Sequence, residues 1–449
     1  MTNDMTKGSP LKLILMFMIP ACLGNIFQQL YNLADLVIAG RFLGVNALAA
    51  VGSTGSLIFF VIGWLNGLTS GFAILVAQSF GAKNYSRMRH YMAMSVYLCT
   101  AFVVVMTVAL LFANYPILRL IRAPEEIIDD VAAYMAIIYA GLAVTAAYNA
   151  LAAVLRALGD SLSPLIFLMI SAIINVFLDI AFIAWGGMGV EGCAYATVIA
   201  QGISVILCLV YIMFKYDILK LKKADFEFSW STIAQLLNMG IPMGLQFSIT
   251  AIGTIIVQGA INSLGAIYIA AFSAAGKIQN VVATVFMSLG ATVATFVGQN
   301  YGAGKFDRVK QGVRTTEWIV LAWAGIIFLA VTFFGRTMTT AFVSQSETAV
   351  LDGAELYFKT VAWCYPFLGS IFVYRNALQG MGFGLIAMMG GVFELIARAA
   401  VVVLLVGPLG YRGVCLADPA AWLAALIPLV PFYYYKERKI SSNLARNNL

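Results

Sequence analysis

Hydrophobic positions fill long unbroken blocks along this chain, and polar positions are confined to the short breaks between them. Twelve such blocks lie near 13–38, 47–77, 91–115, 127–154, 162–185, 190–214, 231–258, 267–298, 315–335, 348–378, 383–407 and 413–435. A helix needs about 20 residues to cross about 30 Å of hydrocarbon, and each block reaches that length. Several exceed it, which implies tilt or projection beyond the bilayer. The longest polar break runs from Lys215 to Ser229. Backbone groups in lipid have to be satisfied within their own segment, so the blocks predict a helical bundle. The short alternating segments of a transmembrane barrel are absent.

Composition agrees with the pattern. Of 449 residues 62% are apolar and 10% charged, whereas soluble domains run nearer about half and about a quarter. Soluble, disordered, collagenous and disulfide-stapled classes are excluded. The six cysteines (Cys22, Cys99, Cys193, Cys208, Cys364, Cys415) all fall inside apolar blocks without a CxxC spacing, and they read as small apolar fillers. His90, the single histidine, sits in a loop beside Arg87 and Arg89, which excludes a His-based metal site. The first block and Ile19-Pro20-Ala21-Cys22 resemble a leader and a weak lipoprotein box, but eleven further blocks predict an uncleaved first helix.

Charge sets the orientation. With the N-terminus inside, inner loops and tails hold 19 Lys and Arg, including Arg156 and Arg375, against five outside: Arg41, Arg119, Arg122, Arg336 and Arg412. Both termini are predicted to be cytoplasmic. The net charge of +7 is then a consequence of topology and no sign of a nucleic-acid partner.

An internal repeat organises the spans. Gln78-Ser79-Phe80-Gly81-Ala82 recurs as Gln299-Asn300-Tyr301-Gly302-Ala303, an offset of 221, with Arg87 matching Arg308 and Arg89 matching Lys310. Gly189 and Gly192 recur as Gly410 and Gly413 at the same offset, and Pro20 and Pro242 agree within one residue. Each half holds six spans, so both halves share one orientation and the pseudo-twofold axis lies along the membrane normal. The predicted fold is an all-α membrane protein of twelve transmembrane helices in two six-helix bundles: an N-lobe at 1–214, a cytoplasmic linker at 215–230 and a C-lobe at 231–449. Duplicated bundles of this kind typically form transporters, with a substrate site at the repeat interface that opens alternately to each side.

Gly304-Lys305 is followed by Phe306 and Gly276-Lys277 by Ile278, so neither completes a phosphate-binding loop. HExxH and GxSxG are also missing. ATP-driven pumping and hydrolase chemistry are disfavoured, no cofactor is implied, and an ion gradient remains as the energy source.

Ionisable groups inside spans are costly, which makes each a functional candidate. Asp35 lies in the outer part of span 1, beyond Pro20. Asp179 lies about six residues, or about 9 Å, short of the outer end of span 5. Asn175 is one turn below it on the same face, and Thr197 lies at a similar depth in span 6. Carboxylate, amide and hydroxyl oxygens suit a small hard cation such as Na⁺. Burial also favours the neutral form of a carboxyl, which makes it a proton carrier. Alternatively, both acids are partly hydrated caps near the outer surface. Glu394 and Arg398, spaced i, i+4 on span 11, most simply neutralise each other. Lys277 and Lys359 either pair with carboxylates or line a cavity. Asp418 stands at the repeat position of Thr197 but precedes Pro419, so it is a weaker coupling candidate that could instead hydrogen-bond freed backbone. Glu125, Glu126, Asp129 and Asp130 fit a helix start. Nineteen Met and thirty Phe lend weak support to a broad-specificity pocket.

These features together resemble the multidrug and toxic compound extrusion (MATE) family. The resemblance covers the whole chain: twelve spans, the repeat, Pro20 with Gln28, Tyr31 and Asp35 followed by Gly40-Arg41 and Gly44, and the two Gln-x-x-Gly-Ala loops. It is similar in particular to DinF-like members, in which an Asp of span 1, an Asn and Asp of span 5 and a Thr of span 6 form an N-lobe cation site. Asp35, Asn175, Asp179 and Thr197 match that set residue by residue. The resemblance implies exchange of amphipathic, often cationic compounds for H⁺ or Na⁺, a bend of span 1 at Pro20, and Gln28, Tyr31, Gln246 and Phe247 as substrate-cavity candidates. NorM-like members carry a carboxylate on span 7 shortly after the Pro. Here Pro242 is followed by Met243-Gly244-Leu245-Gln246-Phe247-Ser248-Ile249-Thr250, which puts a C-lobe Na⁺ site in doubt.

A flippase for lipid-linked saccharides or lipids is the competing transporter reading, although its cavity would be basic. A membrane-embedded enzyme lacks a clustered nucleophile and base, and a ligand-gated channel fits the two-lobe repeat less well. The expected partners are small amphipathic molecules and the lipid bilayer. A two-lobe monomer is sufficient, and a prokaryotic inner (plasma) membrane is the expected location.

Overall fold

The computed structural model describes residues 4–120 and 124–447. Among the described residues eleven helices are long and apolar enough to cross a membrane. A pair bent by 49°, Ile128–Ala140 and Leu142–Ala157, completes twelve spans. In chain order, spans 1 to 12 are Pro10–Leu43, Leu57–Gly81, Tyr85–Phe112, the bent pair, Leu162–Trp185, Val190–Lys215, Trp230–Asn262, Ala266–Gly302, Phe306–Thr339, Thr348–Gly380, Gly384–Leu409 and Tyr411–Ile440. A separate helix, Val45–Ser53, takes up the start of the second predicted block. It begins after Gly44, whose φ of 90° breaks the run from span 1. Arg122, counted with the outer loops, lies outside the described residues. Large apolar side chains remain uncovered along the spans, Phe112, Trp185, Phe214 and Trp230 among them. Faces of this kind suit a hydrocarbon solvent, and aromatic residues at span ends suit its boundary.

The two repeated loops end spans 2 and 8 in the same way. Asn84 N–H returns to Ser79 O at 3.0 Å and Lys305 N–H to Asn300 O at 2.8 Å. The left-handed residue that this closure needs is Lys83 (φ 56°) in one loop and Gly304 (φ 69°) in the other. Asn84 then caps span 3, its side-chain oxygen accepting from Arg87 N–H at 3.0 Å.

The chain folds as two compact units. The first contains Leu23–Gly244; the second contains Asp4–Cys22 and Leu245–Leu449. These ranges differ from the lobes read at 1–214 and 231–449. The linker and the first half of span 7 pack with the first unit, and the first part of span 1 packs with the second. Packing at each entry gives the reason. In the second unit Met5, Ile14 and Phe17 join the apolar core built on Phe286, Phe296, Tyr357 and Leu429. Met5 N–H donates to Gln299 Oε1 at 2.9 Å. Asn300 Nδ2 and Arg308 Nη2 both donate to Met5 O at 3.1 Å, and Lys305 Nζ donates to Thr6 O at 2.8 Å. In the first unit, Gly67 and Gly71 of span 2 meet the backbone of span 7. A Cβ on Gly67 would stand 2.5 Å from Met243 O, and one on Gly71 2.6 Å from Gly240 Cα. No side chain larger than hydrogen fits between those helices. The first unit's own core gathers Val61, Leu65, Met135, Tyr139 and Leu142.

Candidate functional site

Within the first unit, three helices bring the predicted cation set together. Span 1 contributes Tyr31 and Asp35 one turn apart, span 5 contributes Asn175 and Asp179 one turn apart, and span 6 contributes Thr197. Asn175 and Asp179 are fully buried at 0% exposure, and Tyr31 and Asp35 are each 6% exposed. Thr197 Oγ1 donates to Asp35 Oδ2 at 3.4 Å. The Asp179 carboxyl lies beside that of Asp35, and the rings of Tyr31 and Tyr134 flank the pair. Immediately beyond Asp179 the helix widens into a π-turn, Ala181–Trp185, a device frequent at functional sites.

Buried polar atoms are ordinarily hydrogen-bonded, and here six are not. Asp35 Oδ1, both oxygens of Asp179, both amide atoms of Asn175 and the Tyr31 hydroxyl have no hydrogen-bonding protein partner. No Lys or Arg forms an ion pair with either acid among the described residues. Two neighbouring carboxylates without a counter-ion repel each other and lose hydration that nothing replaces. Two chemical solutions fit these atoms. A proton on one carboxyl lets it donate to the other, or a small hard cation gathers the carboxylate, amide and hydroxyl oxygens.

The other candidates are placed as follows. Span 1 runs as one helix through Pro20. Gln28 is half-buried and donates through Nε2 to Asn32 Oδ1 at 3.4 Å. Tyr31, a substrate-cavity candidate, is buried against Asp35 and Thr197. In the second unit Gln246 Oε1 accepts from Gln379 Nε2 at 2.9 Å, with Phe247 half-buried next along the helix. Asp418 receives Arg398 Nε at 3.2 Å and the Tyr357 hydroxyl at 3.3 Å. Glu394 and Arg398 pair at 3.6 Å as their spacing predicts, and Arg375 joins them at 3.3 Å. Arg375 was counted among inner-loop bases; it is buried inside span 10. Lys359 is exposed and pairs with Glu355 at 2.7 Å. Lys277 is exposed, its ammonium 5.2 Å from the centre of the Phe342 ring. Neither lysine lines a buried site.

Sequence reasoning passed over Glu317, whose Oε1 accepts from Ser370 while Oε2 is buried without a partner. Its place inside the 315–335 block was the available signal. Tyr134, from the first arm of the bent span 4, had none, because nothing in an apolar block marks which face meets another helix.

The MatE family signature matches residues 20–181 and 242–404, two segments that restate the internal repeat. The chain is 28% identical over 437 residues to the Probable multidrug resistance protein YpnP of Bacillus subtilis, covering 96% of each. It is 22% identical over 441 residues to an FAD transporter of Shewanella oneidensis, covering 95% of this chain and 94% of that one. A solved structure of a multidrug resistance MATE family transporter of the MOP superfamily, in an outward-facing conformation, superposes with a TM-score of 0.90 at 21% identity, covering 97% of this chain and 98% of that chain. With the signature spanning both halves of a twelve-span helical fold, the chain belongs to the MatE family, the multidrug and toxic compound extrusion transporters.

Proposed function

We propose that this transporter is a secondary active efflux antiporter of the DinF-like kind. It exchanges amphipathic, often cationic compounds for H⁺ or Na⁺ at Asp35, Asn175, Asp179 and Thr197. The observation that carries the reading is the buried, unpaired carboxyl couple with three further unpartnered polar atoms, on Asn175 and Tyr31, and no cationic side chain. Such a group is stable only when something mobile and positive visits it. The multidrug names of relatives support the cargo class; the relative named for FAD makes cargo chemistry a matter for direct competition assays. Coupling requires cation and cargo to favour different states, because equal affinity for both shifts nothing. An outward-facing state takes up the cation and releases cargo outside, and an inward-facing state reverses both steps. Cytoplasmic termini follow from the distribution of Lys and Arg, and the short loops suit a prokaryotic inner membrane.

The test is efflux of a fluorescent organic cation from proteoliposomes with the proton and Na⁺ gradients imposed separately. Efflux driven by one gradient and lost in Asp179→Asn is expected. Efflux equal in wild type and Asp179→Asn would sink the site, and efflux indifferent to both gradients would favour a flippase.

A further inference from the structure

The second unit has its own buried ionic cluster, and it differs from the first in one decisive respect. Arg398 lies between two carboxylates, with Nε 3.2 Å from Asp418 Oδ1 and Nη1 3.6 Å from Glu394 Oε2. Arg375 Nη1 stands 3.3 Å from Glu394 Oε1, and the Tyr357 hydroxyl donates to Asp418 Oδ2 at 3.3 Å. Arg375, Glu394 and Arg398 are each under a tenth exposed. Two guanidinium groups face two carboxylates, so the cluster is neutral as it stands.

The repeat shows what this cluster replaces. The offset of 222 set by Pro20 and Pro242 carries Tyr31 onto Gly253 and Asp35 onto Val257. The offset of 221 set by Gly189 and Gly410 carries Thr197 onto Asp418. Spans 1, 5 and 6 build the candidate cation site in the first unit; their counterparts, spans 7, 11 and 12, contribute to the cluster in the second. Where Tyr31 fills space in the first unit, Gly253 leaves a hollow, and the Arg398 side chain occupies it. A Cβ on Gly253 would stand 3.0 Å from Arg398 Nη1 and 3.3 Å from its Cδ. Val257 and Val401 stand at the positions of Asp35 and Asp179, and the one carboxylate at a corresponding position, Asp418 in place of Thr197, is already met by a cation that belongs to the chain.

We infer that Arg398 is a tethered cation that closes the second unit to exchangeable ions and confines ion exchange to Asp35 and Asp179. This rests on the antiport reading above and adds its stoichiometry: one exchangeable cation per chain. An arginine keeps its charge at any physiological pH and cannot leave, so the second cluster stays neutral through the cycle while the first alternates. Removing the guanidinium leaves Glu394 and Asp418 facing Arg375 alone, with one uncompensated negative charge that a free cation can fill.

The experiment counts ions on the purified full-length chain. Bound radioactive Na⁺ at saturation in alkaline buffer, and protons taken up on acidification in excess of those taken up by Asp179→Asn, are compared among wild type, Asp179→Asn, Asp418→Asn, Arg398→Gln and Arg398→Lys. The wild-type count falls away in Asp179→Asn. Arg398→Gln doubles that count, and Arg398→Lys, which keeps a tethered charge, leaves it unchanged. Asp418→Asn, a near-isosteric change, also leaves it unchanged, and this arm decides the matter if Arg398→Gln does not fold. A folded Arg398→Gln with the wild-type count, or an ion lost from Asp418→Asn, overturns the inference. A count untouched by Asp179→Asn overturns the antiport site on which it rests.

Discussion

Spans 1 and 7 occupy the same place in the repeat, yet the two units seat their first halves by different physics. Span 7 is held in the first unit by bare backbone, Gly67 and Gly71 against Gly240 and Gly244. The equivalent positions for span 1 are Ser288 and Thr292 on span 8 and Met18 and Cys22 on span 1 itself. The Ser288 and Thr292 hydroxyls turn back onto their own helix, donating to Thr284 O at 2.8 Å and Ser288 O at 2.7 Å. Side chains therefore stand between those helices, Cys22 meeting Ser288, and span 1 relies on them, on Ile14 and Phe17 in the core, and on the polar clamp around Met5 to Gly8. Close glycine contact gains dispersion at no side-chain entropy cost and tolerates no added volume. A clamp of long basic side chains on carbonyl oxygens accommodates volume but depends on charge and donors.

The contrast breaks most sharply at Gly71. Gly71→Leu forces spans 2 and 7 apart, at a cost of about 3 kcal/mol or more from overpacking. Thr292→Ala at the equivalent position costs about 1 kcal/mol. Thermal denaturation of the two purified variants should separate them clearly, and similar melting temperatures would show that the glycine contact does not hold the unit together. Arg308→Ala comes next. It removes donors to Asn300 Oδ1 at 3.0 Å, Gly8 O at 3.0 Å and Met5 O at 3.1 Å. Bonds to charged donors are worth about 1.5–3 kcal/mol each in favourable settings. Amide exchange at residues 5–8 should rise at least about tenfold per 1.4 kcal/mol lost, with the linker at 217–226 unchanged. The linker has its own latch, Arg89 Nε to Asp225 Oδ2 at 3.0 Å, with His90 Nδ1 3.0 Å from Asp225 O. Arg89→Ala should loosen only that segment, a change confined to linker peptides in the same exchange experiment.

The smallest effect is one of pH. Asp160, between spans 4 and 5, is buried, which pushes its carboxyl upward. Bonds from the Ser163 N–H and hydroxyl and from the Tyr216 hydroxyl, with the Lys215 charge nearby, outweigh burial and hold it below its usual range. The stabilisation is therefore complete above the unfolded value of about 3.9 and is lost as pH falls through the lower folded value. The corresponding connection, Gly380-Met381-Gly382, has no acid to titrate. Asp160→Asn should flatten the acid limb of a stability-versus-pH curve, and an unaltered limb would assign that limb to other carboxyls.

Much of the architecture was legible because lipid imposes it. Block length gave the twelve spans, and the repeat gave the two similar halves. Asp35, Asn175, Asp179 and Thr197 could be grouped because polar atoms in hydrocarbon need company and depth along a helix can be counted. Residues that cost nothing to bury in lipid carried no such mark. The exchange of Asp4–Cys22 and Trp230–Gly244 between units is invisible in an apolar run, because a lipid tail and a leucine are equivalent neighbours. Tyr31 was ambiguous for the same reason: an aromatic ring with one hydroxyl suits a drug cavity and an ion site equally. Arg375 was misread because a base near a block's inner end looks cytoplasmic until its partner Glu394 is seen 19 positions further on.

The π-turn beyond Asp179 also explains a discrepancy of one in the chain's internal arithmetic. Span 5 is capped by Ser161 and span 11 by Phe383, 222 apart, yet the glycines that follow them, Gly189 and Gly410, are 221 apart. The first copy therefore holds one extra residue between those landmarks, and the π-turn Ala181–Trp185 absorbs it. In an unbroken α-helix one residue is about 100° of rotation. The widened turn spares the span that rotation, so Asp179 keeps the face it shares with Asp35 despite the extra residue. A single inserted codon can thus be carried in the middle of a span without turning the helix on either side of it.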